Sequence, residues 1–147
     1  MQKADIRFQK LHPNAITPTY GTESAAGADL YLLADNEITI LPGETVLIHT
    51  GIALEIPEGY AGLVFARSGL ATKRDLAPAN KVGLIDSDYR GEIMIPLYNH
   101  GKKPQTLTSG ERVAQIVFTP YLGAHFVETE TLSDTARGNS GFGSTGT

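Results

Sequence analysis

The stretch that most constrains the fold is 44–56, ETVLIHTGIALEI. Val46, Ile48, Ile52, Leu54 and Ile56 share one parity, the period-2 signature of a strand with an apolar face. Gly51 interrupts the alternation and marks a bulge. Turn chemistry bounds the run. Leu41-Pro42-Gly43-Glu44 places Pro at i+1 and Gly at i+2 of a type II turn, and Pro57-Glu58-Gly59 punctuates the next connection. Residues 4–11 (around Ile6 and Phe8), 60–66, 92–98, 112–118 and 125–132 also read as strands. Short strands with turns every dozen or so residues predict an all-β sandwich or jelly roll. The stock of β-branched residues (6 Val, 11 Ile and 15 Thr) fits pleated, half-buried surfaces.

At 147 residues the chain is one domain, too short for a TIM barrel. It shows no internal repeat and no linker. Only 68–76 reads as helical, for about two turns, with Ser68 as its cap. Residues 1–132 read as the β domain. Residues 133–147 differ in kind: apart from Phe142 they carry almost nothing apolar, and a mobile tail is expected.

Charge and cysteine content exclude several function classes. Twelve basic against 16 acidic residues give a net charge of −4, without the basic footprint of a nucleic-acid binder. The absence of Cys excludes a disulfide framework, a thiolate metal site and a cysteine nucleophile. No N-terminal apolar run and no 18-residue apolar stretch is present, so a cytoplasmic protein without a membrane partner is expected.

Four patches hold more polar and glycine residues than a simple β domain needs: 26–30 (AGADL), 66–70 (ARSGL), 80–91 (NKVGLIDSDYRG) and 137–146 (RGNSGFGSTG). Each has two readings. Arg67-Ser68-Gly69 is either a salt-bridged arginine before a capped helix or a fork of donors that cradles an anion. Asp86-Ser87-Asp88 is either a hydrophilic turn or a carboxylate that activates water or faces a metal. Asp29, taken alone, is a polar strand-end residue. The tail is either an appendage or a lid, its Arg, Ser and Thr suited to phosphates and its Phe to a planar base. His12, His49, His100 and His125 show no metal-ligand spacing, and no P-loop, GxSxG or dinucleotide fingerprint is present.

In order along the chain, these patches resemble the motifs of the trimeric dUTP diphosphatases. The matching motifs are AGADL at 26–30, RSGLA at 67–71, NKVGLIDSDYRG at 80–91, SGERVAQ at 109–115 and RGNSGFGSTG at 137–146. The resemblance implies a jelly-roll-like fold of the β-clip type, a homotrimer with sites shared between subunits, and hydrolysis of dUTP to dUMP and pyrophosphate. Such an activity limits uracil in DNA and supplies dUMP for dTMP synthesis. Asp86 matches the general base that activates water for attack on the α-phosphorus. Mg²⁺ is the implied cofactor, with Asp29 holding it through water.

Further residues carry over one by one. Asn80, Leu84 and Ile85 line the uracil slot; Tyr89 packs under the deoxyribose, and Met94 lies near the same pocket. Arg67, Ser68 and Gly69 hold phosphates, and Gln115 bonds near the α-phosphate. From the tail, Arg137 pairs with the γ-phosphate, Phe142 covers the uracil, and Gly143, Ser144 and Thr145 give further phosphate contacts. Two positions depart from the pattern: Ser109 stands where Pro is common, and Asp75 where Gly often ends the helix. If that position is left-handed, Asp tolerates it better than most residues. Two rivals follow: a dCTP deaminase-type or bifunctional member of the superfamily, against which Gly69 and Asp86 argue, and a non-catalytic dUTP-binding regulator.

Overall fold

The computed structural model describes residues 4–141. Within them lie eleven strands and one helix: β1 (Arg7–Lys10), β2 (Thr19–Tyr20), β3 (Ala28–Tyr31), β4 (Ile38–Ile40), β5 (Thr45–Glu55), β6 (Tyr60–Phe65), α1 (Ser68–Arg74), β7 (Leu76–Pro78), β8 (Gly83–Ile85), β9 (Glu92–Asn99), β10 (Gln105–Leu107) and β11 (Arg112–Pro120). The strands form a four-stranded sheet, β1-β5-β9-β7, a five-stranded sheet, β2-β3-β11-β6-β8, and the pair β10-β4. Every pairing is antiparallel. No sheet closes on itself, so the all-β, jelly-roll-like fold is an open arrangement and not a closed barrel.

β5 behaves as its alternation predicts. Ile48 and Thr50 point inward while Leu47 and His49 are exposed. At Gly51 φ is +66°, and the register with β9 shifts between His49 and Ala53. A Cβ on Gly51 would lie 2.6 Å from Leu33 Cδ2 and 2.9 Å from Ala15 Cβ, so both backbone and packing demand glycine. Gly43 has φ +79°, and Glu44 N–H donates to Leu41 O at 3.0 Å, closing the type II turn. The core joins Ile48, Ile52, Ile93 and Ile95 of one sheet to Leu30, Val113 and Ile116 of the other, all essentially solvent-free. Each such side chain contributes about 1.5–3 kcal/mol by leaving water.

Three expectations need correction. Residues 125–132 form no strand: 121–141 are without strand or helix, and Leu122, Phe126 and Leu132 are exposed. A strand needs a ladder partner, and none in the described residues of the chain reaches this segment. Ser68 is not the helix cap. Arg67 holds that position with extended backbone and no side-chain cap bond, and Ser68 is already the first helical residue. Helix α1 ends at Arg74, two residues before the expected stop. Asp75 takes up the left-handed conformation (φ 54°, ψ 31°), and its N–H donates to Leu70 O. Asp75 therefore does the turning that glycine commonly does.

Candidate active site

Two clefts collect most of the residues singled out above. The first, of about 220 Å³, is lined by Leu84 and Ile85 of β8, by Asp86 and Tyr89 of the following turn, and by Leu47, Glu92 and Met94. The local sequence builds it. β8 pairs with β6 up to Gly62↔Ile85, and the chain leaves the sheet at Asp86. Tyr89 N–H donates to Asp86 O at 3.2 Å, closing a turn. Arg90 ties that turn from outside, donating from Nη1 to Ser87 O at 2.6 Å and to Tyr89 O at 3.1 Å. The Tyr89 ring lies over Gly91, where a Cβ would come within 2.9 Å of ring atom Cε2. Its hydroxyl donates to Glu92 O at 3.0 Å. The ring is thus fixed below by the absence of a side chain and at its tip by a backbone carbonyl.

Glu92 is a residue that sequence reasoning missed. Its Oε1 accepts from the N–H groups of Thr50 (3.2 Å) and Gly51 (2.8 Å), and its Oε2 lies 2.9 Å from His49 Nδ1. Burial pushes this carboxyl's pKa up. The hydrogen bond from His49, the Gly51 N–H, the His49 charge and the Thr50 N–H together outweigh that, and the net shift is downward.

The second cleft, of about 210 Å³, is polar. Asp29, Arg67, Ser68, Gly69, Arg112 and Gln115 are among its lining residues. Asp29 and Gln115 face each other in the β3–β11 register. Asp29 is buried and takes Arg67 Nε at 2.6 Å on one oxygen and Arg112 Nη1 at 3.3 Å on the other. Gln115 Nε2 donates to Ala66 O at 2.9 Å. A Cβ on Gly27 would meet Gln115 Oε1 at 2.7 Å, so glycine leaves room for that side chain. Two guanidiniums around one carboxylate carry a surplus positive charge facing an open cleft, the electrostatics of an anion site. Arg112 was a second omission, because its pairing with a residue 83 positions away has no local signature.

Not every expected residue joins these clefts. Asn80 is exposed in the turn before β8, with its amide beside Gly83, and does not line the first cleft. Arg137 is exposed and donates from Nε to Ser140 O at 2.9 Å. Phe142, Gly143, Ser144 and Thr145 lie outside the described residues. The two clefts share no residue, so Asp86 and the arginine cradle stand apart within one chain.

Among the described residues no three His, Cys, Asp or Glu side chains cluster, so these residues present no cage for a cation. With both Asp29 oxygens already facing arginines, that carboxylate suits contact with a hydrated ion more than direct ligation. None of the described helices is long and apolar enough to cross a membrane.

The model of the dUTPase family matches residues 13–146. The chain belongs to the dUTPase family. It is accordingly a hydrolase, with dUTP the family's substrate. It is 52% identical over 145 residues to a deoxyuridine 5'-triphosphate nucleotidohydrolase of Desulfitobacterium hafniense, covering 98% of this chain and 96% of that protein. It is 49% identical over 129 residues to the protein of that name from Anaeromyxobacter, covering 88% and 86% respectively. Among solved structures it is similar to the dUTPase of Staphylococcus bacteriophage 80alpha with dUPNHPP. There the TM-score is 0.90 at 27% identity, over 99% of this chain and 100% of that one. The match covers the motifs at 26–30, 67–71, 80–91, 109–115 and 137–146, and both clefts of this dUTPase fall within it.

Proposed function

We propose that this chain hydrolyses dUTP to dUMP and pyrophosphate by attack of an Asp86-activated water on the α-phosphorus. The observation that carries this reading is Asp86 at the end of β8, lining one cleft with Tyr89 and Met94. Asp86 accepts a proton from a water molecule as the water oxygen bonds to the α-phosphorus. The bond to the bridging oxygen then breaks, and its electrons leave with pyrophosphate. Leu84 and Ile85 present their backbone to the uracil edge, with Asn80 beside them. Tyr89 packs under the deoxyribose and leaves no space for a 2′-hydroxyl, while Met94 closes the far wall.

Arg67, Ser68, Gly69 and Gln115 take the phosphates in the second cleft. Asp29 orients Arg67, and its carboxylate would hold Mg²⁺ through water. Bound there with the triphosphate, the ion would supply neutralisation of the charge on the leaving pyrophosphate. Residues 1–132 form the body of the site, and 133–147 act as its lid. In the lid Arg137 meets the γ-phosphate, Phe142 covers the uracil, and Gly143, Ser144 and Thr145 bond phosphate oxygens. The two clefts share no residue, and the reading joins them across the subunit interfaces of a C₃ homotrimer, the assembly that the resemblance implies. In a cytoplasmic setting, this reaction would keep uracil out of DNA and supply dUMP for dTMP synthesis.

Incubating the protein separately with dUTP, dTTP, dCTP and UTP, each with Mg²⁺, tests the reading. Pyrophosphate should come from dUTP far faster than from the others. Comparable turnover of UTP would overturn it, ammonia from dCTP would indicate a deaminase, and tight dUTP binding without turnover would indicate a regulator.

A further inference from the structure

The β5 bulge has a structural cost that one side chain meets. Where the β5–β9 register shifts, the N–H groups of Thr50 and Gly51 lose their ladder acceptors on β9. Glu92 Oε1 supplies the missing acceptor for both, and Thr50 Oγ1 donates to Ile93 O at 2.6 Å. The other carboxylate oxygen holds His49 Nδ1. The same residue's backbone carbonyl takes the Tyr89 hydroxyl, and its side chain lines the cleft beside Leu47 and Met94. Residue 92 therefore joins three parts of the nucleoside cleft: the bulged strand β5, the start of β9 and the Tyr89 ring.

We propose that Glu92 is a positioning residue for sugar selection: by pinning the β5 bulge to β9 it fixes the carbonyl that holds Tyr89, and thereby the ring that separates deoxyribose from ribose. This rests on the reading of the cleft as the nucleoside site. Both oxygens of the Glu92 carboxylate are taken up by Thr50, Gly51 and His49, and its carbonyl holds the Tyr89 hydroxyl, so it acts through Tyr89. Its loss lets the start of β9 shift and the ring tilt, opening space for a 2′-hydroxyl. The result is a change in discrimination between nucleotides, which general loosening of the fold would not produce.

The probes are the non-hydrolysable α,β-imido analogues of dUTP and UTP with Mg²⁺, their Kd values measured by calorimetry on the full chain. Glu92→Ala should narrow the ratio of the two affinities by about tenfold or more, as expected for a pocket edge no longer held in place. Glu92→Gln keeps one carbonyl oxygen for the Thr50 and Gly51 amides and should restore the ratio to within about threefold. In a Tyr89→Ala background, Glu92→Ala should change the ratio by less than about twofold, because residues that act as one unit are not additive. An unchanged ratio in folded Glu92→Ala, or an equal loss in both backgrounds, overturns the proposal. If Glu92→Ala does not fold, Glu92→Asp, one methylene short of bridging both amides and His49, reads the same ratio. A fall in the ratio then supports the proposal and an unchanged ratio overturns it. Turnover of dUTP by the unaltered chain is scored separately. Its absence with discrimination intact would sink the hydrolytic reading alone.

Discussion

Replacing Asp86 with Asn removes a proton acceptor while keeping the side chain's size. Because Asp86 lines the first cleft and is not part of the core, the fold should stand. We expect kcat for dUTP to fall by about 10²-fold or more with KM little changed, the mark of an interaction used in the transition state. Steady-state kinetics of Asp86→Asn check this; a parallel loss of affinity would point to a binding role instead. Glu92 makes a prediction about pH. Its folded pKa lies below the ordinary value of 4.5. The unfolded chain therefore binds the proton more readily, and the stability from Glu92 is complete above 4.5 and lost as pH falls through the folded value. The melting-temperature gap between the unaltered protein and Glu92→Gln should therefore shrink as pH drops from about 6 to about 3.5. A gap that stayed constant would mean that the His49 and bulge contacts do not favour the ionised form.

At the scale of the element, β5 depends on one glycine. An alanine at Gly51 would meet Leu33 and Ala15 and would have to hold φ near +66°. Together these should destabilise the protein by about 2–4 kcal/mol, measured by denaturant unfolding. The alternation in 44–56 made β5 legible, and the turns at Gly43 and Gly59 bounded it. The strands β2, β3, β4, β7, β8 and β10 were not legible, being two to four residues long. β3 is buried at Ala28, Asp29 and Leu30 in succession, so it has no alternation to detect. Residues 125–132 erred in the opposite direction, since a period of two without a neighbouring strand does not make a sheet.

At the scale of the molecule, the two clefts share no residue, and the proposed trimer would bring them together. Light scattering should give about three times 15.7 kDa, as C₃ symmetry requires. Asp86→Asn and Arg67→Ala should each be inactive alone, because each spoils a different cleft. If sites form between subunits, unfolding and refolding the two together should regain activity. With random mixing, about one quarter of sites would pair an intact Asp86 with an intact Arg67. No recovery in confirmed mixed trimers would place both residues in a site within one subunit.

The sequence by itself determined the features that depend on a few consecutive residues. These are the type II turn at Pro42-Gly43, the bulge at Gly51, the short helix after Arg67, and the ordered motifs that identify the family. Backbone preference and glycine's freedom at positive φ act over a turn or less, so the local residues carry them. The tertiary structure alone decided that Asp29 is held by Arg67 and Arg112, that Glu92 satisfies the β5 bulge, and that Asp86 and the arginine cradle occupy separate clefts. Those facts follow from which strands pair and in what register. Register is set by closing long loops and burying one face of each sheet, and no single segment of the chain contains it.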